Sequence, residues 1–225
     1  VVPLLEAVSF TPVTITITGV NDTASISGTT TASLTENTKT PATGTLTVTD
    51  PDDGQAGAKV ASGKTSKGSY TVDAAGGWSY TVNRAAANHL AAGKSDTDSF
   101  LVTSIDGTAS QTVTITIDGV NNIAKITGTN TGSISEDATN PTTGTLNIAD
   151  PDDGEAGTKV TSGTTSKGSY SIDAAGHWSY TVDNSAVNHL TARSFDTDSF
   201  LVTSIDGTAS TTVTITIIGA NDLPT

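Results

Sequence analysis

Clusters of aspartate are the residues of this chain whose types and spacing could support chemistry. The chain contains 19 Asp but only 4 Glu, and the Asp residues gather in short groups. The groups are Asp50/Asp52/Asp53, Asp96/Asp98, Asp106, and Asp118 followed by Asn121 and Asn122, and all but the last group recur 100 residues later. Calcium prefers six to eight oxygen ligands from carboxylates, Asn side chains and backbone carbonyls. The clusters therefore indicate binding sites for a hard cation.

The same residue types also have a purely structural use in turns. Asp, Asn and Gly form local hydrogen bonds with the turn backbone, and we favour this interpretation for Asp53 and Asp73. For Asp50, Asp52 and Asp106 we favour cation binding, because only 10 Lys and Arg are available to neutralise 23 acidic residues. In the Asp-Pro-Asp turn, two short carboxylates are also expected on one side of the chain.

The composition restricts the possible partners. A formal net charge of −13 argues against binding to nucleic acid or to anionic lipid, since both would repel the chain. The absence of Cys excludes disulfides and Cys-ligated zinc or iron–sulfur sites. No stretch of 18 apolar residues occurs, so no membrane insertion is expected. Cations remain as the natural partners.

No motif in the chain supports catalysis. The sequence lacks a Gly-x-Ser-x-Gly nucleophile turn, a phosphate-binding loop and a dinucleotide-binding motif. His89 and His189 fall in a short helical stretch and are interpreted as structural, and His177 has Gly77 as its counterpart. Trp78 and the equivalent tryptophan could stack on sugars, but with so few aromatic residues we assign them to the core. We predict a protein that is not an enzyme.

An internal repeat of 100 residues organises the chain. Residues n and n+100 are identical at 66 of the 100 positions from 23 to 122. The segment VTITI occurs three times, starting at Val13, Val113 and Val213. A period of this length matches an autonomous domain rather than a solenoid repeat. We therefore predict domains at 23–122 and 123–225, preceded in 1–22 by the last strand of another unit.

Alternation of apolar residues with Thr or Ser predicts the elements that carry the clusters. Segments 45–49, 69–72, 78–82, 100–105 and 112–117 have this period of two, which is typical of half-buried antiparallel strands. Asp-rich and Gly-rich turns separate them, and only 85–92 has a helical composition. Seven or so strands in 100 residues favour an all-β fold of tandem Greek-key β-sandwich domains. The Asp clusters would then lie at strand ends.

Three segments together resemble a known family. They are LTVTDPDDG at 46–54, FLVTSIDG at 100–107 and VTITI followed by Gly-Val-Asn-Asn at 113–122, and a GSYTVDAAGGWSYTV segment accompanies them at 68–82. This combination is similar to the tandem VCBS and cadherin-like repeats of large bacterial RTX-type adhesins. The resemblance covers both repeats and the first 22 residues.

The resemblance implies Ca2+ at the junctions between consecutive domains. At the junction of the two repeats the implied ligands are Glu36, Asp96, Asp98, Asn121, Asn122, Asp150, Asp152 and Asp206. At the N-terminal junction they are Asn21, Asp22, Asp50, Asp52 and Asp106, and at the C-terminal end they are Glu136, Asp196, Asp198, Asn221 and Asp222. The chain departs from the family pattern at Gly119 and at Asn122, where the other copies have Asp. These departures imply a weaker site, or fewer ions at each junction.

The resemblance also implies a function and a location. It predicts non-catalytic extender repeats of a bacterial cell-surface adhesin, stiffened by Ca2+ so that a distal adhesive domain is projected in adhesion and biofilm formation. The partners would be neighbouring repeats of the same polypeptide and calcium ions, in a monomer that reaches the cell surface by type I secretion. The alternative is a carbohydrate-binding or host-protein-binding module of a secreted protein.

Overall fold

The structure, a computed structural model, describes residues 1, 3 and 10–222. Within these residues each repeat contains eight strands and one short helix, in the same order. The first repeat contains β1 (Ser25–Gly28), β2 (Thr31–Thr35), β3 (Ala42–Thr49), β4 (Ala61–Lys64), β5 (Gly68–Val72), β6 (Gly77–Val82), α1 (Arg84–Ala87), β7 (Ser95–Thr103) and β8 (Ser110–Asp118). The second contains β9 (Lys125–Gly128), β10 (Thr131–Ser135), β11 (Thr142–Ala149), β12 (Thr161–Thr164), β13 (Gly168–Ile172), β14 (His177–Val182), α2 (Asn184–Val187), β15 (Phe195–Thr203) and β16 (Ser210–Ile218).

Each repeat forms a sandwich of two sheets. In the first repeat the strand orders are β1-β3-β6-β5-β4 and β2-β8-β7, and the second repeat has the corresponding orders. Strands β4, β5 and β6 follow one another as neighbours, and β3 lies beside β6, which is the Greek-key order. The pairings of β2 with β8 and of β10 with β16 are parallel. The predicted all-β fold of tandem Greek-key β-sandwich domains is confirmed.

Strand β8 illustrates how the alternating sequence forms the core. Val113, Ile115 and Ile117 are fully buried, whereas the intervening Thr side chains point to the other face. Successive side chains of a strand point to opposite sides of its sheet, so a Val-Thr-Ile-Thr-Ile sequence buries one face. Each fully buried side chain of this kind contributes about 1.5–3 kcal/mol to stability relative to exposure.

The aromatic residues form the centre of the core. Trp78 and Tyr80 are almost fully buried, and the ring of Tyr70 stacks on that of Phe100 with centroids 4.5 Å apart. The Trp78 indole N–H donates to the carbonyl of Thr29 over 2.9 Å, so its polar atom is satisfied. The second repeat contains the same arrangement. The prediction that these aromatic residues belong to the core is confirmed.

The sequence pattern missed three short strands of each repeat. Strands β1 and β4 are short and carry little alternation, so their pairing partners define them more than their own residues do, and β2 alternates Ala and Leu with Thr and Ser over only five residues. The stretch 85–92, predicted to form one or two helical turns, contributes to the four-residue α1, which Asn83 caps by accepting the N–H of Ala85. The following turn buries Leu90 in place of continuing the helix.

Residues 10–22 precede the first strand and carry no strand themselves. Val13, Ile15 and Ile17, which are equivalent to buried residues of β8, are between 80% and 90% exposed. No pairing of this segment with a sheet edge is present, and the rest of the predicted first unit, at residues 2 and 4–9, lies outside the described residues. Neither helix within the described ranges has the length and apolar character needed to cross a membrane.

The parallel pairing of β2 with β8 positions one half of the candidate site. Their last residues, Thr35 and Asp118, are paired, so the chain that follows β2 lies beside the linker that follows β8. In the second repeat, the turn after β11 and the turn between β15 and β16 lie where that linker enters. The Asp clusters of one repeat therefore meet the end of the repeat before it.

Candidate metal centre

The linker between the repeats is bound to two carboxylates of the second repeat. The backbone N–H of Asn122 donates to Asp152 Oδ2 over 2.8 Å, and its side-chain Nδ2 donates to Asp152 Oδ1 over 2.9 Å. Asn121 Nδ2 donates to Asp206 Oδ2 over 3.2 Å. Asp152 is only 2% exposed. The two Asn residues therefore join carboxylates that are far apart in the chain.

Three carboxylates of the second repeat converge beside this linker. Asp150, Asp152 and Glu155 each place an oxygen within 4.8 Å of the others. The turn orients Asp150, because the backbone N–H of Asp152 donates to its Oδ1 over 2.8 Å. The second oxygen of Asp150, one oxygen of Glu155 and one of Asp206 are buried and have no hydrogen-bond partner. Burying a charged oxygen without a partner is unfavourable, so these atoms fit the ligands of a cation.

Crowding of these carboxylates changes their affinity for protons. Burial and the charges of the neighbouring Asp side chains raise the pKa of Glu155. Burial also opposes ionisation of Asp206, but the nearby polar groups of Ser204, Thr208 and Asn121 outweigh it and lower the pKa of Asp206 to about 2. The site therefore combines a carboxylate that stays ionised with one that its neighbours destabilise in the ionised form. A cation between them would relieve that repulsion.

Glu36 brings a carboxylate of the first repeat to the same linker. Its side chain is fully buried, and its backbone N–H donates to the carbonyl of Asp118 over 3.0 Å. Its Oε1 lies 3.3 Å from Asn122 Nδ2, and its Oε2 is buried without a partner. The side-chain amide of Asn122 therefore lies between carboxylates of the two repeats.

Backbone groups also connect the repeats directly. The N–H of Asp153 donates to the carbonyl of His89 over 2.9 Å. Within the first repeat, Gly119 lies so close to the same turn after α1 that a Cβ atom there would overlap the carbonyls of Leu90 and Ala91. The contribution of His89 to this junction is thus its carbonyl group, which agrees with its interpretation as a structural residue.

The start of the first repeat has the same arrangement with fewer acids. Asn21 Nδ2 donates to Asp106 Oδ2 over 3.1 Å, and the N–H of Asp22 donates to Asp52 Oδ2 over 2.8 Å. One oxygen of Asp50 is buried and unpartnered. Gln55 stands here in the position of Glu155. The predicted residues of the N-terminal junction are therefore brought together as well.

The end of the second repeat presents a third acidic group. Glu136, Asp137 and Asp222 place oxygens within 4.8 Å of one another. Glu136 is fully buried, its Oε1 accepts the N–H of Ala220 over 2.5 Å, and its Oε2 has no partner. Asn221 makes a side-chain hydrogen bond to the carbonyl of Asp222. Glu136 thus lies beside the end of the second repeat as Glu36 lies beside the linker at the end of the first.

The predicted ligands Asp96 and Asp98 make their contacts inside the first repeat. Asp98 accepts hydrogen bonds from the Tyr80 hydroxyl over 2.7 Å, from the Lys67 backbone over 3.0 Å and from Thr65. Asp96 forms an ion pair with Lys67 Nζ at 2.9 Å. Asp196 and Asp198 have the equivalent contacts. None of these contacts involves the linker. Asp96, Asp98, Asp196 and Asp198 are therefore not part of the acidic groups that the structure forms at the junctions.

Sequence reasoning missed Glu155, Asp137 and the carbonyls of Asn88 and His89. Glu155 lies three residues beyond Asp152, a spacing that could have indicated a shared turn. Backbone carbonyls carry no sequence signal, so their participation depends on the tertiary fold. In the part of the chain that the structure describes, the ion pairs are Lys67 with Asp96, Lys167 with Asp196 and His177 with Asp173. The carboxylates beside the linker, namely Glu36, Asp150, Asp152, Glu155 and Asp206, have no Lys or Arg partner among these residues.

Comparison with known proteins identifies similar domains. The family model described as "Bacterial cadherin-like domain" matches residues 21–119 and, separately, residues 121–219. No curated protein matches the chain. Each matched segment begins at a linker Asn and ends at the glycine directly after the last strand of a repeat. The boundaries of the matches therefore follow the repeat.

Solved structures of cadherin domains have a similar fold. A protocadherin gammaB7 EC3-6 cis-dimer structure has a TM-score of 0.53 and 16% identity, and the match covers 88% of this chain and 48% of that one. A PcdhgB3 EC1-4 structure has a TM-score of 0.52 and 15% identity, with coverage of 88% and 50%. Protocadherin Gamma B2 domains 1-5 have a TM-score of 0.52 and 14% identity, with coverage of 87% and 38%. The chain spans about half the length of these structures or less, and at such identities the likeness concerns the fold.

Proposed function

The chain belongs to the family of bacterial cadherin-like domains, and from this premise we propose that its repeats are non-catalytic extender domains joined through a calcium-binding junction. The ligands would be Glu36 of the first repeat and, in the second, Asp150, Asp152, Asp206 and Glu155. Calcium bound there would add to the stability of the docked arrangement of one repeat on the next. The array would then act as a stiff spacer in adhesion.

The observation that carries this proposal is the set of buried carboxylate oxygens without partners at the linker. Asp150, Glu155 and Asp206 contribute one such oxygen each from the second repeat, and Glu36 contributes one from the first. Oxygen-rich sites with several carboxylates are typical of Ca2+. A site supplied from both sides of a linker is a bridge, so binding energy would favour the docked arrangement over a flexible one.

The charges beside the linker predict that the stability of the junction depends on a bound cation. Without a cation, carboxylates from two repeats repel one another across the linker, and repulsion at short range is only weakly screened by salt. A ligand that binds only the folded state stabilises it by about 2.7 kcal/mol when its concentration is 100 times its Kd. In a chain with no cysteine, such binding would provide the stabilisation that disulfides provide elsewhere.

The same proposal includes the kind of protein to which these repeats belong. We place the repeats in a large surface adhesin of the RTX type with VCBS-like repeats, exported by type I secretion and active in biofilm formation as a monomer. Residues 23–122 and 123–225 would be consecutive domains, and residues 1–22 the end of another. The exposed apolar face of Val13, Ile15 and Ile17, which is buried in both complete copies, supports the last point.

Binding of carbohydrate receives less support than the spacer role. A sugar platform needs exposed aromatic faces, and Trp78 and Trp178 are 3% and 1% exposed. Each tryptophan borders a surface groove together with Thr, Ser and Gly residues, but only its edge is exposed there. We therefore propose the extender function.

Calcium binding can be tested on the whole chain. Titration calorimetry should detect Ca2+ binding, and the melting temperature should rise by roughly 10–20 °C on going from EDTA to saturating Ca2+, if 100-fold excess over Kd is reached. A D150N/D206N variant should lose the junction component of this shift. The matched control is D183N, because Asp183 caps α2 and Asn83 performs the same role in the first repeat. Absence of Ca2+ binding in the unmodified chain would overturn the proposal.

A further inference from the structure

The side-chain nitrogen of Asn122 lies among three oxygen atoms from both repeats. It is 2.9 Å from Asp152 Oδ1 in the second repeat, and 3.3 Å from Glu36 Oε1 and 3.4 Å from the carbonyl of Asn88 in the first. The linker is only a few residues long, and this one side chain contacts the domain on each side of it. It thus connects the repeats through hydrogen bonds to protein oxygen atoms.

The chemistry of the surroundings determines how the amide is oriented. All three neighbouring atoms are acceptors, so the NH2 group, and not the carboxamide oxygen, must face them. One N–H can donate to Asp152, and the other is shared between Glu36 and Asn88. Two of the acceptors are carboxylates, and hydrogen bonds to ionised groups are about twice as strong as neutral ones.

The other two copies of this linker position carry Asp. Asp22 and Asn122 have the same backbone contact, since the N–H of each donates over 2.8 Å to the equivalent Asp of its own repeat. The copies therefore differ in the side chain and not in the course of the linker. A carboxylate at position 122 would place two more oxygens among the oxygens of Asp152, Glu36 and Asn88, with no hydrogen to separate them.

We propose that Asn122 is a metal-independent clamp, which holds the two repeats in their docked orientation through its side-chain amide where the Asp copies require a cation. This junction consequently retains its geometry when divalent cations are removed, and it takes up fewer of them than a junction with Asp at the same position. The first statement concerns the metal-free chain and stands independently of the proposed calcium binding. The second rests on that function.

A backbone contact limits the motion that the clamp has to control. The hydrogen bond from Asp153 to the carbonyl of His89 joins the same two turns that Asn122 connects. A single backbone hydrogen bond permits rotation about its axis, whereas a second contact at Asn122 removes that freedom. The two contacts together define one orientation.

The clamp can be tested by measuring the distance between the repeats. The chain has no cysteine, so S62C and S162C introduce one spin label at equivalent exposed positions of β4 and β12. In EDTA, the unmodified junction should give a narrow distance distribution. The N122A and N122D variants should raise the undocked fraction by about 10- to 100-fold, the effect of losing a hydrogen bond to a charged group. Circular dichroism should establish that each variant is folded.

The two variants separate lost hydrogen bonds from added repulsion. If N122D broadens the distribution in EDTA and N122A does not, repulsion explains the effect and the clamp is refuted. A broad distribution for the unmodified junction in EDTA also refutes it. Added Ca2+ should restore a narrow distribution in both variants, and at a lower concentration in N122D, whose carboxylate adds a ligand. The control is D22N, which makes the reverse exchange outside the labelled pair and should leave the distance unchanged.

Calorimetry distinguishes failure of the clamp from failure of calcium binding. If N122D binds more Ca2+ than the unmodified chain, or binds it more tightly, the cation-sparing role of Asn122 is supported. If the unmodified chain binds Ca2+ and N122D binds it identically, that role is refuted although the calcium function stands. If no variant binds Ca2+, the calcium function fails, and the distance measurements in EDTA still decide whether the clamp exists.

Discussion

The backbone N–H of Asp153 donates to the backbone carbonyl of His89 over 2.9 Å, and this hydrogen bond crosses from one repeat to the next. It joins the turn after α1 to the Asp-rich turn after β11. Because both groups belong to the main chain, the contact does not depend on the identity of either side chain. It places the carboxylates of the second repeat against the end of the first, where Glu36 is buried.

Replacing Glu36 with Gln should weaken the response of the chain to calcium. The substitution removes a buried negative charge whose second oxygen has no partner, while an amide of the same size keeps the packing. We expect the Ca2+-induced rise in melting temperature to shrink in E36Q, and the melting temperature in EDTA to stay the same or increase. Scanning calorimetry with and without Ca2+ would measure both. An undiminished response to Ca2+ would argue against Glu36 as a ligand.

The pair Glu155 and Gln55 allows a reciprocal test of ligand number. Glu155 lies with Asp150 and Asp152, whereas the first repeat has Gln55 at the same position. We expect E155Q to weaken Ca2+ binding at the inter-repeat site by about 30-fold, on the order of 2 kcal/mol for a divalent cation near 4 Å from one charge in water. Q55E should strengthen binding at the N-terminal site. Calorimetric titrations of both variants should therefore shift in opposite directions, and shifts in the same direction would contradict the assignment.

Asp98 should make the fold sensitive to acid. Burial opposes its ionisation, but hydrogen bonds from Thr65 and Tyr80 outweigh burial and lower the pKa of Asp98 below 3.8. A carboxyl with a lower pKa in the folded state stabilises the fold above its unfolded pKa, and this contribution disappears as pH falls through the folded value. We expect the loss of stability below about pH 4 to be smaller in D98N/D198N than in the unmodified chain.

Urea unfolding at neutral and at acidic pH would measure this effect. At neutral pH the double variant should be less stable, because an amide cannot accept all the hydrogen bonds that the carboxylates accept in the two repeats. The difference between the two proteins should then narrow as the pH falls. Curves of stability against pH that run parallel would show that these carboxyls do not control acid unfolding.

Gly44 should tolerate no side chain, because the Trp78 ring occupies that space. A Cβ atom at this position would overlap the ring atoms Cζ2 and Cε2. We expect G44A to lower the free energy of unfolding by about 1–3 kcal/mol, the usual effect of overpacking a core. Urea unfolding would measure it. G19A is the matched control, since a Cβ there meets no atom within 4 Å, and an equal loss in both variants would contradict the packing argument.

The long strands could be predicted from the sequence, but the short edge strands could not. In β8, alternation of Val113, Ile115 and Ile117 with Thr specifies both the strand and its buried face. Strand β4 has the sequence ASGK, which carries no such signal, and it exists because β5 offers it backbone partners.

For the candidate site too, the sequence predicted some of the residues that meet but not others. The Asp-Pro-Asp turn, Asp206 and the linker Asn residues are recognisable from type and spacing, and the structure groups them. Asp98 belongs to an equally acidic cluster, yet its carboxylate accepts the Tyr80 hydroxyl within the first repeat. Spacing alone does not distinguish these two environments, because the direction in which a strand presents its side chains depends on the sheets around it.

The sequence by itself determined the repeat, the all-β architecture and the acidic turns, because period-two alternation and turn chemistry are local properties that each segment carries. Only the tertiary structure decided which carboxylates meet. The parallel pairing of β2 with β8 sets Glu36 beside the linker, and contacts between residues up to 86 positions apart then enclose the Asn122 amide between two repeats. Such proximity arises from packing over long sequence separations, and no local pattern encodes it.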